Sequence, residues 1–430
     1  MNILQITPGA GGMYCGACFR DNALVGAFRR MGHSATLLPL YLPMTLDEPD
    51  QTRGAPILFG GINVYLEEKS ALFRRLPRAL TNWLDSPSLL KWTGKFASRT
   101  RPEDVGELTV SMLKGEEGNQ ARELDELLRW LEIHGKPDVI NISNVLLIGL
   151  VRRLKNELNI PVVATLQGED FFLDALPEDN SKEAWKVLQE RAQDVDLFIS
   201  PSRYFGDLMQ RRMNFATDKL SVIPNGISLD GYTLSSAPTD PPVLGYFARM
   251  CEDKGLDTLV ESFMLLKQRE ATKTLRLKVG GGLGPSDEPL VARLKERLER
   301  QGLLQSVEFC PNLTREEKVA FFRDLTVFSA PALYGETFGL YLIEAMAAGV
   351  PVVQPRHAAF PEILEATGGG VLCEPGSAAG LADGIESLLA NPGKAREMGK
   401  HARNQVQEHF NVDVMAEHIV AAYQKLMPQV

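Results

Sequence analysis

The chain has few cysteines and no long apolar run. Its 430 residues include five cysteines, an odd number at scattered positions, which argues against a disulfide framework and favours a reducing cytoplasm. No hydrophobic stretch approaches the ~20 residues of a membrane span. The amino terminus also lacks the basic region of a signal peptide. We therefore expect a cytoplasmic protein.

Positively charged residues are also fewer than negatively charged ones. Lys and Arg together number 46 against 55 Asp and Glu, a formal net charge of −9, so no nucleic-acid partner is expected. No tandem repeat of 20 to 50 residues is visible. The length exceeds what a single core of ~250–300 residues accommodates, and it therefore predicts two domains.

Apolar strands alternate with amphipathic helices in two series, which a Ser- and Pro-rich stretch at residues 235–242 separates. This alternation predicts parallel sheets covered by helices on both faces. The predicted fold class is therefore α/β, with two Rossmann-like doubly wound domains facing each other across a cleft. We predict that residues 1–235 form the first domain, with a helical basic insertion near residues 68–130, and that residues 241–410 form the second.

Two carboxylates flank a predicted helix start near the end of the second series. Glu336 and Glu344 lie eight positions apart, and Phe338 and Gly339 would open the helix. The free amides and the dipole of such a helix end attract phosphate. Carboxylates beside a phosphate are favourable only when they accept hydrogen bonds from neutral hydroxyls, as sugars provide. The pattern predicts a nucleotide-sugar site, and an acidic surface helix is the alternative.

Cations and glycines follow two strands of the second domain. Arg249 and Lys254 lie in the loop after its first strand, where they could neutralise a diphosphate. Gly281 belongs to a glycine cluster after a later strand, and glycine lets backbone approach a base or phosphate closely. A surface cation pair and a plain turn are the alternatives.

The glycine-rich loop at residues 8–16 is not a dinucleotide fingerprint. Tyr14 stands where G-x-G-x-x-G needs its third glycine, which counts against a dehydrogenase. Cys15 and Cys18 open the following helix, where thiolates are stabilised, so redox or zinc chemistry is an alternative. A zinc site needs further ligands, which the nearby sequence does not offer, and we expect no metal or other cofactor.

Together these motifs resemble those of the family 4 retaining glycosyltransferases of the GT-B fold. The similarity includes Glu-Thr-Phe-Gly-Leu-Tyr-Leu-Ile-Glu at 336–344, Ala248-Arg249, Lys254-Gly255 and Val-Ile-Pro-Asn-Gly at 222–226. It covers most of the chain apart from residues 42–135. The resemblance implies a metal-independent hexosyltransferase that moves a hexosyl group from a nucleotide-diphosphate sugar to an acceptor hydroxyl with retention. It also implies a carboxy-terminal helix, at residues 411–430, that crosses back to the first domain.

The resemblance implies a role for each site residue. Arg249 and Lys254 would hold the donor diphosphate, Glu336 would contact the transferred sugar, and Glu344 would bind the ribose hydroxyls. Backbone amides would complete the phosphate cradle at Phe338, Gly339, Leu340, Gly11 and Gly12.

One position departs from the family pattern. Where such enzymes commonly have a histidine, this chain has Gln167, which cannot take a proton. Either the leaving phosphate oxygen accepts the proton of the acceptor hydroxyl, or Glu169 or Asp170 assists. Helix capping is the alternative role of both carboxylates.

The segment from residue 69 to 101 carries eight cations against one acid, a local net charge of +7. Its Trp and Leu residues recur at helical spacing, which would suit a peripheral contact with the inner membrane face. A lid packed on the first domain is the alternative. The acceptor is expected to be a sugar or a lipid-linked sugar. A nucleotide-sugar epimerase and a non-catalytic nucleotide-sugar binding protein are the rival functions.

Overall fold

The structure divides into two units along the chain. It is a computed structural model that describes residues 1–9, 16–60, 64, 66, 68, 102–234 and 240–427. Residues Met1–Pro224 and Met415–Val430 form the first unit, and Asn225–Val414 form the second. The sequence placed residues 225–235 in the first domain. In the structure, Tyr232 is buried in the core of the second unit, with its ring 6.4 Å from that of Phe322.

A parallel sheet of six strands organises the first unit. Its strands are β1 (Asn2–Thr7), β2 (Ser34–Pro39), β3 (Val139–Ile142), β4 (Val162–Thr165), β5 (Leu197–Ser200) and β6 (Leu220–Val222). Their order in the sheet is β2-β1-β3-β4-β5-β6. Every residue of β3, β4 and β5 is buried, as expected where helices cover both faces of a parallel sheet.

A second parallel sheet of six strands organises the second unit. Its strands are β7 (Val243–Phe247), β8 (Arg276–Gly281), β9 (Val307–Pro311), β10 (Val327–Phe328), β11 (Val352–Pro355) and β12 (Gly370–Cys373). Their order is β12-β11-β10-β7-β8-β9. The two parallel sheets with their helices confirm the predicted α/β fold class.

Helices connect the strands of both units. The helices of the amino-terminal part are α1 (Gly16–Arg30), α2 (Pro102–Lys114), α3 (Ala121–His134), α4 (Val151–Leu158), α5 (Glu169–Asp174), α6 (Glu178–Arg191) and α7 (Arg203–Met213). Those that follow β7 are α8 (Leu256–Lys267), α9 (Glu288–Arg300), α10 (Arg315–Arg323), α11 (Leu340–Ala347), α12 (Phe360–Thr367), α13 (Ala378–Leu389), α14 (Pro392–His409) and α15 (Val412–Leu426).

The last helix, α15, packs on the first unit. Tyr423 is fully buried, and its ring centroid lies 6.3 Å from that of Phe28 on α1. Within the described ranges, no helix has the length and apolar character needed to cross a bilayer. The basic segment at residues 69–101 lies outside the described residues.

The strand order of the second sheet fixes the place of the candidate site. From β7 the chain proceeds to β8 and β9 on one side, and it later returns to β10 on the other side of β7. The order therefore reverses between β7 and β10. Parallel α/β sheets bind ligands at such a switch point, outside the carboxyl ends of the strands. The loops that leave β7 and β10 carry Lys254 and Glu336, respectively.

Candidate functional site

The loops after β7 and β10 are in direct contact. A Cβ atom on Gly255 would lie 1.9 Å from the carbonyl oxygen of Pro331, and the backbone of Gly255 has a φ of +72°, so this position requires glycine. The amide of Leu333 donates to the carbonyl of Asp253 over 2.9 Å. These contacts bring together side chains that are distant in the sequence.

Lys254 and Glu336 form a buried ion pair. Nζ of Lys254 lies 2.6 Å from Oε2 of Glu336, and the two side chains are 20% and 9% exposed. The same carboxylate oxygen accepts the hydroxyl of Tyr341 over 2.9 Å and that of Tyr334 over 3.3 Å. Lys254 also donates to the hydroxyl of Tyr334. The carboxylate therefore receives three hydrogen bonds on one oxygen.

This pairing keeps both groups charged despite their burial. Burial raises the pKa of Glu336, but the Lys254 charge and the hydrogen bonds to the carboxylate outweigh it, so the net pKa lies below the ordinary value. Burial lowers the pKa of Lys254, but the attraction of Glu336 leaves it above the ordinary value. At neutral pH the site contains a carboxylate and an ammonium group in contact.

Arg249, in the loop after β7, is held by a bidentate pair with Asp287. Its Nε and Nη2 donate to the two carboxylate oxygens over 2.9 and 3.0 Å, and Nη2 lies 3.1 Å from the hydroxyl of Ser286. The Asp287 hydrogen bonds raise the pKa of Arg249. Because 59% of the Arg249 side chain remains exposed, a ligand in solution can reach the guanidinium.

The carboxylates of both ion pairs act electrostatically on one buried hydroxyl, that of Tyr246. This hydroxyl donates to the carbonyl of Arg249 over 2.9 Å. Burial raises the pKa of Tyr246, and the nearby negative groups raise it further, among them Asp287 and Glu336. The carboxylate partner of Arg249 and that of Lys254 therefore lie in one electrostatic neighbourhood. The convergence of the two cations on one diphosphate stays a prediction.

Helix α11 begins beside this cluster. Gly339 precedes its first residue with a φ of +90°, which favours glycine. The backbone amides of Phe338, Gly339 and Leu340 make no hydrogen bond with any described residue, whereas the Leu342 amide donates to the Gly339 carbonyl over 2.9 Å. Three open amides at a helix start suit an anion. The side chain of Phe338 packs in the core, 6.1 Å from Phe410.

Glu344 lies further along α11, at ~1.5 Å of rise per residue from the helix start. Its Oε1 accepts a hydrogen bond from Nζ of Lys318 over 2.9 Å and from the hydroxyl of Tyr232 over 3.1 Å. The side chain is 13% exposed. Glu344 is therefore already held by two partners on one of its oxygens.

Gly281 ends β8 at a tight contact within the protein. A Cβ atom there would lie 1.9 Å from the carbonyl oxygen of Ala248, and φ is +118°. The sequence predicted a glycine that lets backbone approach a ligand. The structure accounts for this glycine by the close approach of the neighbouring backbone of the loop after β7.

In the first unit, Gln167 and Glu169 are bound to the backbone. Nε2 of Gln167 donates to the carbonyl of Ser143 over 2.6 Å. The buried carboxylate of Glu169 accepts the amides of Val145, Gln167 and Gly168 over 3.1, 2.8 and 2.9 Å. Burial raises the pKa of Glu169 to about 7. Glu169 therefore binds the backbone of the two preceding loop residues and of Val145, and it does not cap α5, where the N-cap position is Gly168 and no side chain caps the helix.

Asp170 is half-buried on α5, beside Glu169. Burial raises its pKa, while its own amide and that of Phe171 lower it. Gly11, Gly12 and Cys15 lie outside the described residues. Cys18 is buried on α1, and no cluster of His, Cys, Asp and Glu that could hold a metal ion occurs among the residues the structure describes.

Among the site residues that sequence reasoning missed are Tyr232, Asp287, Lys318, Tyr334 and Tyr341. Tyr341 lies inside the recognised motif, five positions after Glu336 and two after Gly339, and this proximity could have suggested contact with Glu336. Tyr232, Asp287 and Lys318 come from other elements. Their partners Glu344, Arg249 and Glu344 are 112, 38 and 26 positions away, respectively, and no local pattern marks them.

Comparisons with known proteins identify the family of the chain. Residues 235–405 match the family model described as glycosyl transferases group 1, and residues 93–230 match that of glycosyltransferase family 4. Phosphatidyl-myo-inositol mannosyltransferase from Mycobacterium leprae is 32% identical over 209 residues, which are 47% of this chain and 52% of the relative. The chain therefore spans about half the length of this relative.

Solved structures show the same fold over nearly the whole chain. Sucrose-phosphate synthase from Thermosynechococcus elongatus superposes with a TM-score of 0.71 at 19% identity and covers 99% of each chain. Anabaena Alr3699/HepE in complex with UDP gives a TM-score of 0.68 at 17% identity, covering 99% of this chain and 100% of that one. These findings, with the motifs and the two parallel sheets, place the chain in the family 4 glycosyltransferases of the GT-B fold.

Proposed function

We propose that the protein transfers a hexosyl group from a nucleotide-diphosphate sugar to an acceptor hydroxyl, with retention and without a metal. The observation that carries the proposal is the Lys254–Glu336 pair at the switch point of the second sheet. It lies beside Arg249 and the open amides at the start of α11. The two cations and the helix start can bind a diphosphate. The two buried carboxylates can accept hydrogen bonds from hydroxyl groups on either side of it.

In this proposal, Arg249 and Lys254 bind the donor diphosphate together with the amides of Phe338, Gly339 and Leu340. Charge builds on the diphosphate as the bond to the sugar breaks, so fixed cations stabilise the transition state more than the ground state. Lys254 has three donor hydrogens, so it can remain bound to Glu336 while it donates to a phosphate oxygen.

The carboxylates recognise the polyol parts of the donor. Glu336 accepts a hydroxyl of the transferred sugar, and its position is fixed by Lys254, Tyr334 and Tyr341. Glu344 accepts the ribose hydroxyls. Alr3699/HepE has been solved with UDP-glucose, at 16% identity and a TM-score of 0.66 over 99% of this chain and 100% of that one. The UDP-glucose bound to that protein supports a nucleotide-sugar donor for this chain.

The acceptor proton needs a destination. Gln167 cannot accept this proton. The carboxylate of Glu169 already accepts hydrogen bonds from three backbone amides. We therefore assign the proton to the leaving diphosphate oxygen, with Gln167 and Asp170 binding the acceptor. The Mycobacterium leprae relative is named for phosphatidyl-myo-inositol, which supports a lipid-linked polyol among the acceptors to test. Such an acceptor would suit a cytoplasmic enzyme at the inner membrane face.

A two-step experiment tests the proposal. Thermal unfolding is first measured with UDP-, GDP- and ADP-sugars, because a ligand present at 100 times its Kd stabilises the folded state by ~2.7 kcal/mol. The stabilising donor is then incubated with sugar and lipid-linked acceptors, and the products are identified by mass spectrometry. Glu336→Gln and Lys254→Met are expected to lower the transfer rate by at least ~100-fold.

The rival functions give different results. Isomerisation of the donor without any acceptor would identify an epimerase. Donor binding without turnover across the acceptor panel would identify a nucleotide-sugar binding protein. Wild-type transfer rates in both variants would contradict the assignment of the site itself.

A further inference from the structure

Lys318 is a buried lysine on a helix whose neighbouring residues pack in the core. It lies on α10, where its exposure is 8%, and the nearby Phe321 and Phe322 are also buried. An ammonium group in such a place is unfavourable unless it is paired. Its partner is Oε1 of Glu344, 2.9 Å away.

The same oxygen of Glu344 accepts a second hydrogen bond. The hydroxyl of Tyr232 donates to Oε1 over 3.1 Å. A carboxylate offers about four lone-pair sites, two on each oxygen. Lys318 and Tyr232 therefore occupy both sites of Oε1. The two sites of Oε2 match the two hydroxyls of a ribose diol, one for each. The 13% exposure of the Glu344 side chain leaves it accessible to a ligand.

We propose that Lys318, with Tyr232, is a positioning residue that fixes Oε1 of Glu344 and thereby presents Oε2 to the ribose diol of the donor. This inference rests on the proposed function, in which Glu344 binds the ribose. Lys318 acts through Glu344 and does not contact the donor. It holds the carboxylate in one orientation, so that both ribose hydroxyls can donate to it.

This role predicts an effect on donor affinity and not on the chemical step. The ribose is remote from the bond that breaks, so its contacts are equally strong in the ground and transition states. Losing such contacts raises KM and leaves kcat unchanged. The hydrogen bonds at issue join the ribose hydroxyls to the charged Glu344 carboxylate. Because hydrogen bonds to charged groups are strong, weakening one of them through Lys318→Met should raise the Kd of the nucleotide by about tenfold or more.

The experiment measures Kd by calorimetry for UDP, GDP and ADP, and for the 2′-deoxy form of whichever binds. The variants are Lys318→Met, Lys318→Arg, Glu344→Gln and the double variant Lys318→Met with Glu344→Gln. Lys278→Met is the matched control, because Lys278 also forms ion pairs in the second unit, 3.1 Å from Asp324 and 3.8 Å from Glu308. Tyr232→Phe is the second test variant, should Lys318→Met not fold.

We expect Lys318→Met to raise Kd about tenfold and to reduce the preference for ribose over deoxyribose, with partial recovery in Lys318→Arg. In the Glu344→Gln background, Lys318→Met should cause no further loss, and Lys278→Met should bind like the wild type. A further loss in that background would mean that Lys318 contacts the ligand itself, which overturns the positioning role. Unchanged Kd and ribose preference in Lys318→Met or, if that variant does not fold, in Tyr232→Phe would overturn it too.

The same binding data distinguish failure of the proposed function from failure of the inference about Lys318. If the wild type binds none of the three nucleotides, both the proposed function and this inference are wrong. If the wild type binds one and Lys318→Met binds it equally well, only the inference about Lys318 is wrong. A purely structural lysine would lower the unfolding temperature of Lys318→Met and leave the Kd of the folded protein unchanged.

Discussion

Replacing Lys254 by methionine should destabilise the second unit as well as stop transfer. Glu336 is 9% exposed, and Lys254 is its only cationic contact among the described residues. Methionine keeps much of the lysine volume and removes the charge. The carboxylate would then remain buried without its counter-charge, although the hydroxyls of Tyr334 and Tyr341 still donate to it.

The expected size follows from this burial. Removing one partner of a buried ion pair costs about 3–5 kcal/mol. Because two tyrosine hydroxyls remain on the carboxylate, we expect the lower end of that range, about 3 kcal/mol. For domains of 150–250 residues this corresponds to a drop of about 6–12 °C in the unfolding temperature. Adding Glu336→Gln removes the unpaired charge, so the double variant should regain most of the loss without regaining activity.

Calorimetry is the appropriate assay. All four tryptophans (Trp83, Trp92, Trp130 and Trp185) precede residue 225, so tryptophan fluorescence would not follow the second unit. Lys182→Met serves as the control. Lys182 lies 2.5 Å from Glu178, nearly the same separation, but these side chains are 70% and 81% exposed. An exposed pair contributes about 0–1 kcal/mol, so this control should unfold close to the wild-type temperature.

Two results would refute the reasoning. If Lys254→Met unfolds at the wild-type temperature, the pair does not have the stabilising role that its burial implies. If the double variant is as unstable as the sum of both single variants, the two residues do not act as a coupled pair. Transfer activity in the double variant would separately contradict the proposed function.

Three further outcomes are expected. Arg249→Met should weaken nucleotide binding about tenfold and destabilise the protein by about 1–3 kcal/mol, both measured by calorimetry, because the Asp287 carboxylate, 7% exposed, loses its cation. Unchanged affinity in the folded variant would contradict the binding role of Arg249. Gly281→Ala should destabilise the protein by more than about 1 kcal/mol in urea unfolding, because φ is +118° and the new Cβ would meet Ala248; wild-type stability would contradict the contact. Glu169 has a folded pKa of about 7 against an ordinary 4.5, so between these pH values the folded state binds more protons than the unfolded state. The stability of the wild type relative to Glu169→Gln should therefore rise as the pH falls from 7 to 4.5. An equal pH dependence of stability in both proteins would refute the shift.

The pattern of strands and helices could be predicted from the sequence because the relevant signals are local. Buried parallel strands appear as short apolar runs, such as those of β3 and β4, and helix starts have their own signals. The helix at Gly339 was placed within one residue, since it begins at Leu340. The boundary between the units was less well placed, because residues 225–234 are held by contacts such as that of Tyr232 with Phe322 and not by a local motif.

By itself, the sequence determined the α/β fold with two parallel sheets, its family and the residue types of the proposed nucleotide-sugar site, since each is encoded in short motifs at fixed spacing. Only the tertiary structure decided which charges meet. The switch in strand order between β7 and β10 joins Lys254 to Glu336 across 82 positions. The packing of α10 against α11 then gives Glu344 a lysine partner. Such pairings depend on distances through space, which spacing along the chain does not specify.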